Sequence, residues 1–326
     1  MGLVAQILNF FSFYSLSTVH NNQYQSLNDC INYLKGRDID IQLRRLISII
    51  KKFEHEGFIL KIGQKGTDPI YDSTYLAQNI YTRYLEYGAY DFYYWGFVSI
   101  RNHFLESVIP IDVEKRNGSR DIGTCFVIDG HRLLTARHCI EGMNNIQIFD
   151  PLNHLATPST IWVPSNDMDI ALIEINNYNF SQVPKFEIEY GRVLDEVLTM
   201  GYPPIPGFDA INVSDLAYVN ATLKVSEGRI IAEDRVLFDR DNYFLINAKV
   251  KGGNSGGPII NDLGYVIGMI VNIPLDAEDQ SRIDHLAYGV AVTGTQINNF
   301  LSNIYRQNDK VRKLSFINNK KGFSTE

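Results

Sequence analysis

The stretch Gly252-Gly253-Asn254-Ser255-Gly256-Gly257-Pro258 decides the fold of this 326-residue chain. Four glycines and a proline around one serine exclude a helix interior, because glycine loses the most backbone freedom on folding and proline interrupts the hydrogen-bond ladder. Clustered glycines let backbone amides point where other residues could point them only with strain. A serine beside such amides can act as a nucleophile, and the same turn can then stabilise the oxyanion that the attack creates.

Two stretches upstream supply the other groups that a serine nucleophile needs, a base and an acid that orients the base. The first reads Thr135-Ala136-Arg137-His138-Cys139, and the second reads Asp167-Met168-Asp169-Ile170-Ala171-Leu172-Ile173. Together with the serine stretch, they resemble the T-A-x-H-C, D-I-A-L-I and G-N-S-G-G-P motifs of the trypsin-like serine proteases. The order of the three motifs is also that of this family.

The resemblance implies a role for each matching residue. His138 is the expected general base, Asp169 its orienting acid and Ser255 the nucleophile, while the backbone N–H groups of Gly253 and Ser255 are the expected oxyanion donors. Further stretches at 199–203, 264–268 and 288–292 are similar to the bacterial HtrA-like branch of the family. The family uses no cofactor in this chemistry, and we expect none here.

Other interpretations of the same residues are weaker. The serine also satisfies the G-x-S-x-G nucleophile elbow of α/β-hydrolases, which requires a helix after the serine. Gly257-Pro258 forbids that helix. The only histidine that follows the serine in the sequence is His285, thirty residues later. Asp167 competes with Asp169, but we expect Asp169 at the mouth of a strand and Asp167 in an exposed turn. The sequence has no paired C-x-x-C or H-E-x-x-H pattern to support a metal site.

The order of apolar residues predicts two kinds of structure. Residues 1–100 predict a mostly helical domain, with a helix capped near Ser26, a second helix ending at Gly57, a hairpin over 58–71 and a third helix from Ser73 or Thr74 to Tyr87. Helix, helix, hairpin and helix is similar to a winged-helix module.

Residues 101–305 alternate short apolar runs with turns. They predict a mainly β protease domain of two six-stranded antiparallel barrels in the chymotrypsin fold. Residues 306–326 predict a basic tail, solvated or loosely docked.

Composition limits which partners the protein is expected to bind and in which cellular compartment it is expected to lie. The net charge of −7 argues against general nucleic-acid binding, and the apolar N-terminal run is too short and too interrupted for a membrane span. Cys30, Cys125 and Cys139 are an odd number of cysteines, which suits free thiols in a reducing compartment. We therefore expect a cytoplasmic protein. The resemblance implies protein or peptide substrates, and we expect the N-terminal domain to bind a regulatory protein.

The expected specificity pocket rests on the resemblance. In the family's arrangement Lys249 lies at the base of the pocket, and Val250, Ile270 and Ile273 line its walls. This set excludes a trypsin-like preference for Lys or Arg. It predicts small or medium apolar side chains, or acidic ones if Lys249 points inward.

The sequence thus predicts a serine endopeptidase that works through an acyl-enzyme and is regulated by its N-terminal domain. Two alternatives remain open. One is an inactive protease fold that serves as a binding module. The other is a self-cleaving regulator with a nucleic-acid- or protein-binding N-terminal domain.

Overall fold

The structure is a computed structural model, and it describes residues 1–12, 24–149, 155–203, 223–235, 242–271, 288–314, 316–318 and 323–325. The chain divides at Gly96 into two compact units, Met1–Gly96 and Phe97–Glu326. Ile273 and His285 lie outside the described residues. No helix in the described part of the chain is long and apolar enough to cross a membrane.

The first unit consists of helices packed on a small sheet. Its helices are α1 (Leu3–Phe11), α2 (Leu27–Lys35), α3 (Leu43–His55), α4 (Thr82–Tyr87) and α5 (Ala89–Trp95), and its strands are β1 (Gln25–Ser26), β2 (Ile59–Gln64) and β3 (Ser73–Ala77). The strands form an antiparallel sheet in the order β1-β3-β2. The apolar residues of α1, α2 and α3 meet in one core, which includes Leu8, Leu34 and Phe53.

The predicted cap of α2 is confirmed. The Ser26 side chain accepts a hydrogen bond from Asp29 N, and the Asp29 carboxylate accepts one from Ser26 N, which is a reciprocal capping box. The helix predicted from Ser73 to Tyr87 is wrong in its first half. Residues 73–77 are strand β3, which pairs with both β1 and β2, and the helix begins only at Thr82.

The second unit is mainly β. Its strands are β4 (Val108–Glu114), β5 (Arg120–Val127), β6 (Arg132–Thr135), β7 (Asn145–Phe149), β8 (Leu155–Ala156), β9 (Pro158–Pro164), β10 (Ala171–Ile175), β11 (Glu196–Gly201), β12 (Lys224–Arg235), β13 (Asn242–Ile246), β14 (Pro258–Asn261), β15 (Val266–Val271), β16 (Gly289–Thr293), β17 (Val311–Lys313), β18 (Phe316–Asn318) and β19 (Phe323–Thr325). Two helices, α6 (Phe97–His103) and α7 (Gly294–Tyr305), flank them.

The later strands close into a six-stranded barrel in the order β11-β12-β13-β16-β15-β14. Side chains from every strand fill its interior, with Val197, Ile230, Phe244, Ile259, Ile267, Ile270 and Ala291 at the centre. This barrel agrees with the second barrel predicted from the sequence. Pro258 begins β14, so a strand and not a helix follows the serine stretch, as the sequence predicted.

The prediction of a closed first barrel is wrong for the described residues. They form a ten-stranded sheet in the order β17-β9-β10-β6-β5-β4-β7-β19-β18, with β8 paired to β7. The strands β9 and β7 do not pair with each other in the described part of the chain. They pair with the C-terminal strands β17 and β19 instead.

The same pairing corrects the expectation of a loose basic tail at 306–326. Val311 is buried, and β17 lies antiparallel to β9 with Lys313 opposite Trp162. The Lys313 ammonium lies 4.8 Å from the centre of the Trp162 ring, and Arg312 donates to Glu141. The basic residues of β17 therefore belong to the sheet, and the described part of the predicted tail adds strands to the second unit.

Candidate active site

The serine stretch forms two consecutive turns. Asn254 N donates to Lys251 O at 3.0 Å, and Gly257 N donates to Asn254 O at 2.8 Å. The third residue of each turn is a glycine with positive φ, Gly253 at +88° and Gly256 at +82°. A positive φ at this position is the mark of a type II turn and favours glycine. The glycines are therefore required by the backbone that carries Ser255.

The turns leave two backbone amides without partners in the described part of the chain. Neither Gly253 N nor Ser255 N donates a hydrogen bond to any described residue. Gly253 is buried and Ser255 is half-buried. An unpaired amide in such a place costs free energy unless a ligand supplies the acceptor. The two amides that the resemblance implies as oxyanion donors are thus available for that role.

The sheet supplies the histidine and the acid. His138 lies in a single 3-10 turn, Arg137–Cys139, directly after β6, and Asp169 lies just before β10, which pairs with β6. Asp169 Oδ2 lies 2.6 Å from His138 Nδ1, and Asp169 Oδ1 accepts a hydrogen bond from His138 N at 2.9 Å. Both carboxylate oxygens therefore hold the same residue. Asp167 is exposed, as predicted.

The pair is buried on one side and open on the other. The Asp169 side chain is 11% exposed, whereas the His138 side chain is 41% exposed. Desolvation lowers the pKa of His138, but the neighbouring Cys139 sulfur and the Asp169 carboxylate outweigh it and leave the pKa above its ordinary value of 6.5. The protonated ring is therefore the form that these two neighbours favour.

Cys139 contacts both the histidine and the serine loop. Its sulfur lies 3.7 Å from His138 Nε2 and 3.6 Å from Ser255 O. No hydrogen bond from Ser255 Oγ appears among the described residues. In enzymes without substrate this contact is often long and tightens only in the complex. Cys139 and Cys125 are both free and buried, in line with the prediction of free thiols.

Sequence reasoning missed Thr124. This residue of β5 is completely buried. It contacts the serine loop twice, since its Oγ1 donates to Gly253 O at 2.6 Å and its N donates to Ser255 O at 2.9 Å. The sequence carries no signal for it, because 129 positions separate Thr124 from Gly253.

The predicted specificity residues fall in two environments. The Lys249 side chain is exposed, while Ile270 is buried in the barrel core with Val250 packed against it. Val250 also closes on Gly289, where a Cβ atom would lie 2.6 Å from Val250 Cγ2. Ile273 lies outside the described residues.

The comparison with protein families agrees with this site. Residues 123–269, which contain all three motifs, match the model of the trypsin-like peptidase domain. The match covers 147 of the 326 residues, a little under half of the chain. The matched segment begins in β5 and ends in β15, so it includes both the sheet that holds His138 and the loop that holds Ser255.

Several curated proteins that the chain matches are named as proteases. The chain is 26% identical over 199 residues to Protease Do-like 2, chloroplastic, of Arabidopsis thaliana. This alignment covers 60% of this chain and 30% of that protein. It is 29% identical over 154 residues to the serine protease Rv3671c of Mycobacterium tuberculosis, and this alignment covers 47% of this chain and 36% of that protein. It is also 29% identical over 152 residues to the serine endoprotease DegS of Haemophilus influenzae, and this alignment covers 45% of this chain and 39% of that protein. The chain therefore spans less than two fifths of the length of each relative.

Among solved structures, the active form of the Rv3671c protease from M. tuberculosis is similar. The similarity has a TM-score of 0.49 at 20% identity and covers 63% of this chain and 83% of that one.

Proposed function

We propose that this protein is a serine endopeptidase that cleaves protein substrates through His138, Asp169 and Ser255. The observation that carries the proposal is that the bonded His138–Asp169 pair lies next to the loop that presents Ser255. This loop also presents two amides that have no partner among the described residues. The trypsin-like domain match and the protease relatives support it.

In the proposed reaction, Ser255 Oγ attacks the scissile carbonyl while His138 Nε2 takes its proton. Asp169 keeps the other ring nitrogen, Nδ1, protonated and stabilises the imidazolium that forms. The carbonyl oxygen becomes an oxyanion, which accepts hydrogen bonds from Gly253 N and Ser255 N. His138 then protonates the leaving amine, and water hydrolyses the acyl-enzyme by the same route.

The experiment that tests the proposal is labelling with a fluorophosphonate probe, which reacts only with an activated serine. We expect the full chain to label and the Ser255→Ala variant not to label. Cleavage of a labelled casein should follow the same pattern. A folded wild-type chain that neither labels nor cleaves casein would favour the inactive binding module.

The exposed position of Lys249 supports one of the two specificity options. A lysine that extends into solvent does not place its charge against a substrate side chain in a pocket. We propose a preference for small or medium apolar side chains before the scissile bond. A peptide library would test it, and a preference for Asp or Glu would contradict it.

We also propose that residues 1–96 form a winged-helix module that binds a protein and controls the protease. The element order α1-β1-α2-α3-β2-β3 and the strand order β1-β3-β2 support the winged-helix assignment. One flank of α3 is covered within the unit, where Arg45 lies over the Trp95 ring and Lys52 lies over the Tyr93 ring. The unit contains nine basic and nine acidic residues, so it lacks the positive charge that phosphate binding needs.

Two measurements test this role. A gel-shift assay with duplex DNA should show no binding at physiological salt. Removal of residues 1–96 should change the rate of fluorophosphonate labelling, and an unchanged rate in a folded shortened chain would remove the regulatory proposal. The three free cysteines support a reducing, cytoplasmic location, which localisation of the tagged protein would test.

A further inference from the structure

Thr124 joins the two sheets of the protease unit at the oxyanion loop. It lies on β5 of the ten-stranded sheet, whereas Gly253 and Ser255 lie in the loop that leads into β14 of the closed barrel. Thr124 hydrogen bonds to the carbonyls of both residues. These are the two residues whose amides form the proposed oxyanion hole.

The hydrogen-bond network fixes the direction of the Thr124 hydroxyl. Its proton goes to Gly253 O at 2.6 Å, and its oxygen accepts from Tyr202 N at 3.1 Å. The Thr124 carbonyl in turn accepts from the Thr135 hydroxyl at 2.7 Å. A hydroxyl with one donor and one acceptor bond in a buried site has a single orientation. The Gly253 carbonyl is therefore held by a rigid donor.

The Gly253 amide has no such partner among the residues that the structure describes. Its direction follows from the backbone torsions of Gly253, and glycine is the residue that restricts those torsions least. Gly253 O and Asn254 N belong to one peptide group, which the turn bond to Lys251 O holds on one edge and the bond from Thr124 Oγ1 holds on the other. Fixing this peptide group limits the torsions of Gly253, and so it limits how far the Gly253 amide can rotate away from the oxyanion position.

Packing closes on Thr124 from the barrel side as well. A Cβ atom on Gly256 would collide with the Thr124 carbonyl, and a Cβ atom on Gly201 would lie 3.1 Å from Thr124 Oγ1. Gly256 of the serine loop and Gly201 at the end of β11 thus both pack closely against Thr124. The position of the serine loop depends on the groups that Thr124 presents.

From this geometry we propose that Thr124 is a positioning residue of the oxyanion hole, whose hydroxyl holds the Gly253 amide in the orientation that receives the oxyanion. The inference rests on the proposed serine endopeptidase activity. Thr124 does not contact the reacting atoms, so its effect is on the rate of the chemical step and not on binding of the probe.

The test measures fluorophosphonate labelling of the full chain at several probe concentrations, which separates the maximal rate kinact from the binding constant KI. Thr124→Val keeps the shape and removes the hydroxyl, Thr124→Ala removes both, and Thr124→Ser keeps the hydroxyl. Thr199→Val is the matched control, since Thr199 is also buried and donates to a backbone carbonyl, Ser226 O, within the barrel.

We expect Thr124→Val and Thr124→Ala to lower kinact by about 10-fold to 100-fold with KI unchanged. This loss is smaller than the ~10²–10³-fold loss that follows removal of an oxyanion donor itself. Thr124→Ser and Thr199→Val should stay within about threefold of the wild type. If Thr124→Val does not fold, the comparison of Thr124→Ala with Thr124→Ser isolates the hydroxyl.

Three results would overturn the inference while the protease function stands. These are a wild-type kinact in Thr124→Val and Thr124→Ala, an equal loss in Thr124→Ser and Thr124→Ala, or an equal loss in Thr199→Val. A wild-type chain that does not label at all, like Ser255→Ala, would instead refute the proposed function and this inference with it.

Discussion

Replacement of Asp169 by asparagine tests the proposed mechanism most directly. In the structure one carboxylate oxygen accepts from His138 N and the other faces Nδ1. An asparagine that keeps the first bond with its oxygen must place its NH₂ group opposite Nδ1. That group can only donate, so Nδ1 loses its proton and Nε2 gains one. The ring then cannot accept the proton of Ser255.

The expected loss is large. A wrong tautomer together with the loss of a charged partner for the imidazolium costs about 10⁴-fold in kcat. This factor corresponds to roughly 5.4 kcal/mol, at about 1.36 kcal/mol for each tenfold change in rate. The residual activity should also have a different pH profile. Because Asp169 is among the groups that raise the pKa of His138, its neutralisation should move the acid limb of kcat/KM to lower pH.

The assay is the pH dependence of peptide cleavage, with Asp167→Asn as the matched control. Asp167 lies two residues before Asp169 and is exposed, so its variant should keep the wild-type rate and profile. A loss below tenfold in Asp169→Asn, or an acid limb that stays in place, would refute the role assigned to Asp169. Equal losses in the two variants would point to a general charge effect instead of a specific bond.

Three further predictions concern stability and the thiols. Gly256→Ala should lower the melting temperature by at least ~4 °C, because φ is +82° and the new Cβ meets the Thr124 carbonyl; Gly252→Ala, with open space at its Cβ, should not. Ser26→Ala should cost about 1 kcal/mol in urea unfolding, because α2 loses its capping box. The three buried cysteines should react slowly with a thiol reagent at pH 8 and fully after denaturation, because burial raises the pKa of Cys30 to about 12 and that of Cys125 as well. A fast reaction of the native protein would show that the thiols are accessible.

Local signals in the sequence predicted the elements that depend on local interactions. The capping box at Ser26 and the glycine-rich turns around Ser255 involve residues at most three positions apart, and the structure contains both. Alternation and turn residues are local features too, and they predict the mainly β character of the second unit, which the structure has.

The failures involve distant pairing. Residues 73–77 have helical spacing of apolar residues, but they lie between β1 and β2 and bond to both. The three residues of β17 read as a charged tail, and their strand partner β9 begins about 150 positions earlier in the chain. In each case a partner strand far away in sequence supplies the hydrogen bonds that decide the structure, and no local pattern reports it.

The active site shows why this limit matters for function. The serine loop is rich in glycine, so its own side chains cannot fix its shape. Hydrogen bonds from outside fix it on two sides. On the barrel side, Gly256 N donates to Ile270 O and Ile270 N donates to Gly257 O, and on the sheet side Thr124 holds Gly253 and Ser255. The bonds that Thr124 makes to the two proposed oxyanion residues go to their carbonyls, so their N–H groups have no partner among the described residues and are available for the proposed contact with substrate. The glycine-rich motif supplies N–H donors on a flexible backbone, and residues distant in sequence hold that backbone in place. A search for further residues that affect the rate should therefore start at the hydrogen-bond partners of the loop.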